Sequence, residues 1–238
     1  MPSLNGKTVV IIGGTQGIGL ATAIAAQQAG ANVWAASRSP DKVAAAAADH
    51  PDIQFRSVDI HDSAGMETLL KEAGEVDHLV AVATGANRTM APFMEQTDEQ
   101  FRAAFEKFWG YTNVARTGVP HLSSSGSLTF VSGIPARKCN PGMSSISCVG
   151  NAVEGLTRAL AAELAPIRVN VVAPGTIDTA MFDRFGDNKS QALEAMGKNI
   201  LLGRVGQADE VAEAIMLCMS NTYMTGSTID VDGGALLP

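Results

Sequence analysis

The sequence has few of the features that mark a secreted, membrane-embedded or metal-binding protein. It contains only 3 cysteines in 238 residues, and none forms a Cys-x-x-Cys pair, so neither a disulfide framework nor a zinc site is predicted. The 4 histidines are scattered along the chain, which argues against a shared metal site. The N-terminal residues run into a short apolar strand with no secretory pattern, and no apolar stretch reaches the roughly 18 to 20 residues that cross a bilayer. We therefore expect a cytoplasmic protein with reduced thiols.

Positive charge is also scarce. The 17 Lys and Arg residues are outnumbered by 24 Asp and Glu residues, which gives a formal net charge of −7. A chain of this charge repels a phosphate backbone unless it carries a local run of Lys and Arg, and no such run is present. Nucleic acid is therefore not an expected partner.

Short β-branched segments alternate with longer helical segments along the whole chain, which is typical of a parallel sheet with crossover helices. The pattern predicts strands at 8–12, 32–36, 53–57, 78–83, 127–131, 167–172 and 228–231. It predicts helices at 17–29, 41–48, 63–71, 98–120, 145–164 and 209–219. The hydrophobic content of 46% is enough for one large core. We predict an α/β fold, a single Rossmann-type doubly wound parallel sheet of about seven strands with helices on both faces, in one domain spanning residues 1–238.

Two segments, 133–145 and 176–206, fit this alternation poorly and are predicted as long loops. Both follow the carboxyl ends of predicted strands, which is the edge where doubly wound sheets bind ligands. Loops of this length in a compact domain are usually functional. We predict that residues 176–206 form a partly apolar, mobile lid over a substrate, whose identity the sequence does not indicate.

Glycines cluster at the first strand-to-helix turn, at Gly13, Gly17 and Gly19. The absence of a side chain there lets the backbone approach a pyrophosphate at the N-terminus of a helix, so the turn predicts a dinucleotide site. A tight turn also needs glycine for its own conformation, which is the alternative explanation. The predicted contacts at this turn include Thr15, Gln16 and Ile18.

The second predicted strand ends without the carboxylate that would bind the ribose 2′-hydroxyl of NAD. Arg38 is placed to bind a 2′-phosphate instead, with Ser37 donating a further hydrogen bond, so NADP(H) is favoured over NAD(H). The alternative is that Arg38 is an exposed loop residue. Asp59 is predicted either to accept from the adenine amino group or to cap the helix that begins after Asp62. The other predicted cofactor contacts in this part of the chain are Ile60, Ala83 and Gly85.

These features resemble the classical short-chain dehydrogenase/reductase family, whose glycine pattern has the spacing of Gly13, Gly17 and Gly19. The resemblance covers nearly the whole chain, and its most specific part is residues 167–179, which look like the sixth strand of the family and the loop beside the nicotinamide. Residues 204–206 and 231–234 are typical of the family as well. The resemblance implies cofactor contacts on the nicotinamide side by Pro174, Gly175, Ile177 and Thr179.

The resemblance also implies a homo-oligomer, either a tetramer or a dimer. Family members usually associate through the long fourth and fifth helices and the C-terminal segment. In this chain residues 233–238 form an apolar tail that would be poorly placed in water, which favours an oligomer. The alternative is that the tail folds back on its own chain.

The family uses a Tyr as proton donor, a Lys four residues later, a Ser about a dozen residues before the Tyr, and an Asn on the fourth helix. Neighbouring residues align Ile146 with the Tyr and Gly150 with the Lys. They align Gly133 with the Ser and Lys107 with the Asn. Because isoleucine has no proton to donate and glycine has no ammonium group, the standard proton relay cannot operate with these residues.

Lys107, together with Ser132 or Ser145, is the predicted replacement. On the fourth helix Lys107 is expected to point towards the nicotinamide pocket, where partial burial would lower its pKa into a useful acid–base range. The alternatives are that Lys107 is a solvated surface residue, that Ser132 only ends its strand, and that Ser145 only caps the following helix.

Two functions therefore remain open. The first is an NADP(H)-dependent oxidoreductase that acts on a small carbonyl or alcohol through a non-standard proton relay. The second is a catalytically silent NADP(H)-binding protein, either a redox sensor or an inactive partner subunit.

Overall fold

A parallel sheet runs through the computed structural model, which describes residues 3–84 and 88–237. Its strands in the described residues are β1 (Thr8–Ile12), β2 (Asn32–Ser37), β3 (Gln54–Ser57), β4 (Val76–Ala81), β5 (Leu122–Val131), β6 (Arg168–Pro174) and β7 (Thr228–Val231). Their order across the sheet is β3-β2-β1-β4-β5-β6-β7. The chain builds outwards from β1 to β3 and then returns to the other side of β1, so the ligand-binding crevice of a doubly wound sheet falls between β1 and β4. The predicted fold class is confirmed.

Helices connect these strands and cover the sheet. They are α1 (Gly17–Gln28), α2 (Pro40–Asp49), α3 (Ser63–Ala73), α4 (Asp98–Ala104), α5 (Glu106–Gly118), α6 (Ser144–Glu163), α7 (Lys189–Gly197) and α8 (Ala208–Ser220). Asp62 begins α3 by accepting hydrogen bonds from two helix amides, and Thr97 begins α4 with a capping box. No helix in the described ranges has both the length and the apolar character to cross a membrane.

The period of two along β1 sends alternate side chains to opposite faces of the sheet. Val9 and Ile11 join a core that includes residues of α1 and α8. Val10 and Ile12 join a second core on the other face, with residues of α3, α5 and α6. Because both faces are buried, the strand is a continuous apolar segment, which is the pattern that made it recognisable in the sequence.

Four predictions differ from the structure by more than shifts of one or two residues at the ends of elements. The strand predicted at 127–131 begins five residues earlier, at Leu122, because a polar stretch extends it. The helix predicted at 98–120 is divided at Phe105 into α4 and α5. Residues 176–206, predicted as a loop, contain the 3₁₀ segment Ala180–Asn188 and all of α7, and the loop predicted at 133–145 contains the 3₁₀ turn Ile134–Ala136.

The region between β6 and α8 is ordered around a small core of its own. Leu193, Ile200, Val205 and Ala235 are buried together there, and Ile177 pairs with Gly206 at the base of the region. This cluster explains why the segment is helical rather than a free loop, since an amphipathic helix gains most of its stability from packing.

The C-terminal tail packs against its own chain. Ala235 is only 6% exposed, and the carbonyl of Gly233 accepts a hydrogen bond of 3.1 Å from the amide of Leu202. The tail therefore does not carry the argument for an oligomer, because the structure supports the alternative in which it folds back. The oligomeric state stays a prediction of the family resemblance.

Candidate functional site

The turn between β1 and α1 is built around glycines whose side-chain positions are occupied by backbone. Gly13 adopts a φ of 97°, and a Cβ on it would lie 2.5 Å from the amide nitrogen of Ala83. A Cβ on Gly19 would lie 2.0 Å from the carbonyl oxygen of Gly13. These contacts show that packing of the turn itself requires glycine at both positions.

The start of α1 has the features of an open helix N-terminus. Gln16 precedes the helix and makes no side-chain hydrogen bond to it, and the first turn of α1 contains no acidic residue. The first amide N–H groups of the helix are therefore left without a side-chain acceptor. An open helix N-terminus beside a glycine turn fits the diphosphate of a dinucleotide.

The segment after β6 lies against the glycine turn. A Cβ on Gly17 would lie 3.2 Å from Cγ2 of Thr179. Gly175 donates its amide to the carbonyl of Val231 over 2.9 Å, and Ile177 is buried. These contacts fix the predicted nicotinamide-side segment beside the predicted diphosphate site.

Arg38 stands where β2 ends and is largely free to bind a ligand. Its Nη1 lies 3.9 Å from Oδ2 of Asp59, and 69% of its side chain is exposed. An exposed ion pair of this length contributes little, so a phosphate competes with it easily. The carboxylate of Asp59 also accepts a 2.9 Å hydrogen bond from the amide of His61. Because Asp62 caps α3, the alternative in which Asp59 caps that helix is wrong.

One cleft of about 870 Å³ joins these parts. It is lined by all of the predicted cofactor residues that lie in the described ranges: Gly13, Thr15, Gln16, Gly17, Ile18, Gly19, Ser37, Arg38, Asp59, Ile60, Ala83, Pro174, Gly175, Ile177 and Thr179. The remaining predicted residue, Gly85, lies outside the described residues. The residues predicted from the sequence to contact the cofactor therefore lie together at a single site in the folded chain.

Lys107 lines the same cleft from α5 and is buried. Its side chain donates a 3.1 Å hydrogen bond to the carbonyl oxygen of Ser132, and its Nζ lies 5.3 Å from the ring centroid of Tyr111. Burial lowers the pKa of Lys107 well below its ordinary value, and the positive charge of Arg88 lowers this pKa further. Because Lys107 is only 7% exposed, the alternative of a solvated surface lysine is wrong.

Ser132 links Lys107 to a buried carboxylate. While its carbonyl accepts from Lys107, its hydroxyl donates a 3.2 Å hydrogen bond to Oε1 of Glu154. The same Glu154 oxygen lies 3.4 Å from Nε of Arg137, which in turn forms a bidentate pair with Asp230. The hydroxyl of Ser132 is thus held in place by a charged group rather than free to rotate.

Comparisons with known proteins place the chain in a family. The family model of enoyl-(acyl carrier protein) reductases matches residues 13–235. The short-chain dehydrogenase/reductase ATR9 of Stachybotrys chlorohalonatus is 34% identical, and the alignment covers 100% of both chains. The chain belongs to the short-chain dehydrogenase/reductase family.

Two solved structures extend this relationship to the fold. The reductase/Diels-Alderase MalC of Malbranchea aurantiaca has a TM-score of 0.89 at 33% identity, over 99% of this chain and 98% of that one. The NADPH-bound structure of a short chain oxidoreductase from Pseudomonas aeruginosa, described as containing an atypical catalytic center, has a TM-score of 0.90 at 28% identity, over 98% of each chain. The chain is therefore a short-chain dehydrogenase/reductase with relatives that bind a nicotinamide dinucleotide.

The four positions aligned with the short-chain dehydrogenase/reductase catalytic residues all line the cleft. They are Lys107 on α5, Gly133 just after β5, and Ile146 and Gly150 on α6. The structure thus brings together residues that are 43 positions apart at their extremes, from 107 to 150 in the sequence. Their grouping supports the alignment on which the sequence prediction was based.

The backbone at two of these positions is fitted to glycine. Gly133 has φ 154° and ψ 150°, a region that is essentially restricted to glycine. A Cβ on Gly150 would lie 2.8 Å from Cβ of Ala136, and the Cα and amide nitrogen of Ala136 are within 3.3 Å of it. A side chain at Gly133 would strain the backbone, and one at Gly150 would require movement of the 3₁₀ turn that contains Ala136.

The second candidate serine, Ser145, does not reach the cleft. Its side chain is fully buried, its hydroxyl has no hydrogen-bond partner among the described residues, and it is not part of the lining. Its position on the first turn of α6 directs it into the protein. The alternative role as a helix cap is not observed either, because α6 has no side-chain cap.

Sequence reasoning missed three charged residues at the site. Glu154 had a readable signal: it falls four residues after Gly150 on the face of α6 that also carries Val153 and Thr157, a spacing that predicts burial. Arg88 and Arg184 line the cleft from two distant parts of the chain, and Arg184 belongs to the 3₁₀ segment Ala180–Asn188. No spacing in the sequence indicates that both reach this cleft.

Proposed function

We propose that the protein is an NADP(H)-dependent oxidoreductase that reduces a small carbonyl or oxidises the corresponding alcohol through Lys107. The observation that carries this proposal is a buried lysine with a lowered pKa in the same cleft as the dinucleotide-binding residues. Groups with strongly perturbed pKa values in a cleft are candidates for acid–base catalysis. The bound nicotinamide would supply or accept the hydride.

Arg38 supports the choice of NADP(H) over NAD(H). It is exposed, loosely paired and located at the end of β2, where the ribose of the dinucleotide is expected. A guanidinium group binds a phosphate through parallel hydrogen bonds. The solved relative from Pseudomonas aeruginosa contains NADPH, which agrees with this assignment.

Lys107 is the proposed proton donor to the substrate carbonyl oxygen. A lysine of ordinary pKa holds its proton too tightly near neutral pH, whereas burial of Lys107 weakens that hold. In the reverse direction the neutral amine would accept the proton of the alcohol. Ser132 orients Lys107 through the 3.1 Å hydrogen bond to its carbonyl oxygen. Ser145 has no role in this proposal.

The region 176–206 is the proposed substrate side of this single domain. Met181, Phe182 and Arg184 of the 3₁₀ segment and Met196 of α7 line the cleft. Their mainly apolar side chains would contact the body of a substrate. The small core of this region gives it the means to act as a closing element rather than as a loose loop.

A silent dinucleotide-binding protein is the second candidate, and the glycines favour it. Gly133, Ile146 and Gly150 supply no group that transfers a proton, and the backbone at both glycines is fitted to the absence of a side chain. The turnover experiment below separates the two functions.

Cofactor binding is tested by calorimetric titration of the purified protein with NADPH and with NADH. We expect Arg38→Leu to weaken NADPH binding by about 10- to 100-fold, the loss of one or two charge-assisted hydrogen bonds, with little effect on NADH. Arg158→Leu removes an exposed arginine of α6 and serves as the control. Equal affinity of the Arg38 variant for NADPH would remove the basis for the NADP(H) preference.

Turnover is tested by following NADPH absorbance with a broad panel of aldehydes and ketones. We expect Lys107→Met to abolish consumption of NADPH while NADPH still binds, whereas Lys71→Met on the exposed face of α3 leaves the rate unchanged. Full activity of the Lys107 variant would refute the proposed proton donor. NADPH binding without consumption by the wild type across the panel would favour the silent function.

A further inference from the structure

Positive charge is concentrated in the cleft of a protein whose net charge is −7. The cleft is lined by five Lys or Arg side chains and two carboxylates: Arg38, Lys42, Arg88, Lys107 and Arg184 against Asp59 and Glu106. Both carboxylates are already engaged, Asp59 with Arg38 at 3.9 Å and Glu106 with His61 at 3.5 Å. Among the described residues, neither carboxylate forms an ion pair with Arg88, Lys107 or Arg184.

Three of these cations reach the one cleft from different parts of the chain. Arg88 follows β4, Lys107 lies on α5, and Arg184 belongs to the 3₁₀ segment Ala180–Asn188. Arg88 has exposed surface because the cleft is open, yet burial lowers the pKa of its guanidinium and the charge of Arg184 lowers this pKa further. Arg88 acts in the same sense on Lys107. Mutual repulsion of like charges is therefore built into this end of the cleft.

Apolar side chains line the same cleft as the three cations. Met90, Met143, Ile146, Phe182 and Met196 all line the cleft. Met143, Ile146, Phe182 and Met196 are half-buried, so an anion bound among them would be partly withdrawn from water, which strengthens its attraction to the cations. A ligand with a carboxylate could therefore bind the cations through that group and contact the apolar side chains through the rest of its structure.

We propose that the substrate is a carbonyl compound carrying a carboxylate, which Arg88 and Arg184 bind while the apolar wall holds its body and Lys107 faces its carbonyl. This inference deepens the proposed function and rests on it for the role of Lys107. The cofactor does not account for these cations, since its diphosphate and 2′-phosphate are assigned to the glycine turn and to Arg38. Guanidinium groups suit a carboxylate because their paired N–H donors match its two oxygens.

The test is a binding experiment that needs no turnover. The protein is loaded with NADP⁺, which has no hydride to give, and is titrated calorimetrically with acetoacetate and with benzoylformate. The ethyl esters of both compounds are the uncharged controls. The titrations are repeated with Arg88→Leu, with Arg184→Leu and with the exposed control Arg158→Leu.

We expect each acid to bind at least about 10-fold more tightly than its ester, and each cleft variant to lose at least about 10-fold in affinity for the acids only. The control should behave as the wild type. Equal binding of acid and ester, no binding of either acid, or unchanged acid affinity in both cleft variants would overturn the proposal. An equal loss of NADP⁺ affinity in the cleft variants would also overturn it, because the cations would then belong to the cofactor.

The same titrations on cofactor-free protein separate this proposal from the proposed function. If NADP⁺ gives no binding signal but the acids bind the free protein with the same dependence on Arg88 and Arg184, the anion site stands and the cofactor assignment fails. If NADP⁺ binds and the acids do not, the cofactor assignment stands and the anion site fails.

Discussion

Replacing Gly150 with alanine tests whether the backbone of α6 excludes a side chain at the position of the family lysine. The new Cβ would lie 2.8 Å from Cβ of Ala136, with two backbone atoms of Ala136 within 3.3 Å. Overpacking of this kind costs about 1 to 3 kcal/mol. It is offset in part by the roughly 0.5 to 1 kcal/mol that alanine gains over glycine inside a helix. Gly150→Ala should therefore lower the free energy of unfolding by up to about 2.5 kcal/mol.

Gly155 on the same helix provides the matched control. A Cβ there meets no atom within 4 Å, so Gly155→Ala should gain the full helix contribution of about 0.5 to 1 kcal/mol. The two variants should then differ by about 1 to 3 kcal/mol, which corresponds to about 2 to 12 °C in Tm for a domain of this size. Thermal and urea unfolding followed by circular dichroism measure this difference. Equal stability of the two variants would refute the argument that α6 and the Ala136 turn are closed against a side chain.

Three further predictions concern Gly133 and the two buried bases. Gly133→Ser should lower stability by about 1 to 3 kcal/mol, because its φ of 154° is strained for any other residue; a variant as stable as wild type in urea would contradict this. Burial lowers the pKa of His78 from 6.5 to about 4, so between these values the unfolded chain binds the extra proton, and stability should fall by about 3 kcal/mol as the pH decreases. In a plot of the urea unfolding midpoint against pH, His78→Gln should reduce the decrease below pH 6.5. The control His50→Gln should retain that decrease. Burial also lowers the pKa of Lys107, so Lys107→Met should be more stable than wild type at pH 7. This difference in the free energy of unfolding should decrease as the pH approaches 10.5, and a difference independent of pH would refute the prediction.

Much of the fold was readable because each central strand is a short apolar run between turn signals. β1 and β7 occur at the predicted residues, and the helices predicted to begin at residues 63 and 98 do so, after the caps Asp62 and Thr97. The break at Phe105 was not readable, since no Pro or Gly marks it. The early start of β5 was hidden because Ser123, Ser124, Ser125 and Gly126 have low strand propensity.

Some residues of the site could likewise be predicted from the sequence and others could not. Gly13 and Thr179 belong to contiguous motifs and were located from the sequence. Lys107 was located by its neighbours on α5, but its burial is a property of the packed structure. Arg88 and Arg184 could not be located, because they are 96 positions apart in the sequence and no motif spacing links them.

Lys107 connects the stability of the protein with its proposed chemistry. A buried ammonium with no carboxylate partner in the described residues destabilises the fold, and a methionine of similar length would avoid that cost. A protein that only held a dinucleotide would gain nothing from the lysine, whereas a proton donor requires a group whose pKa burial has lowered. A Lys107→Met variant that is more stable and has lost turnover would therefore identify the lysine as functional. A variant that is more stable and equally active would leave the lysine without a role in the reaction.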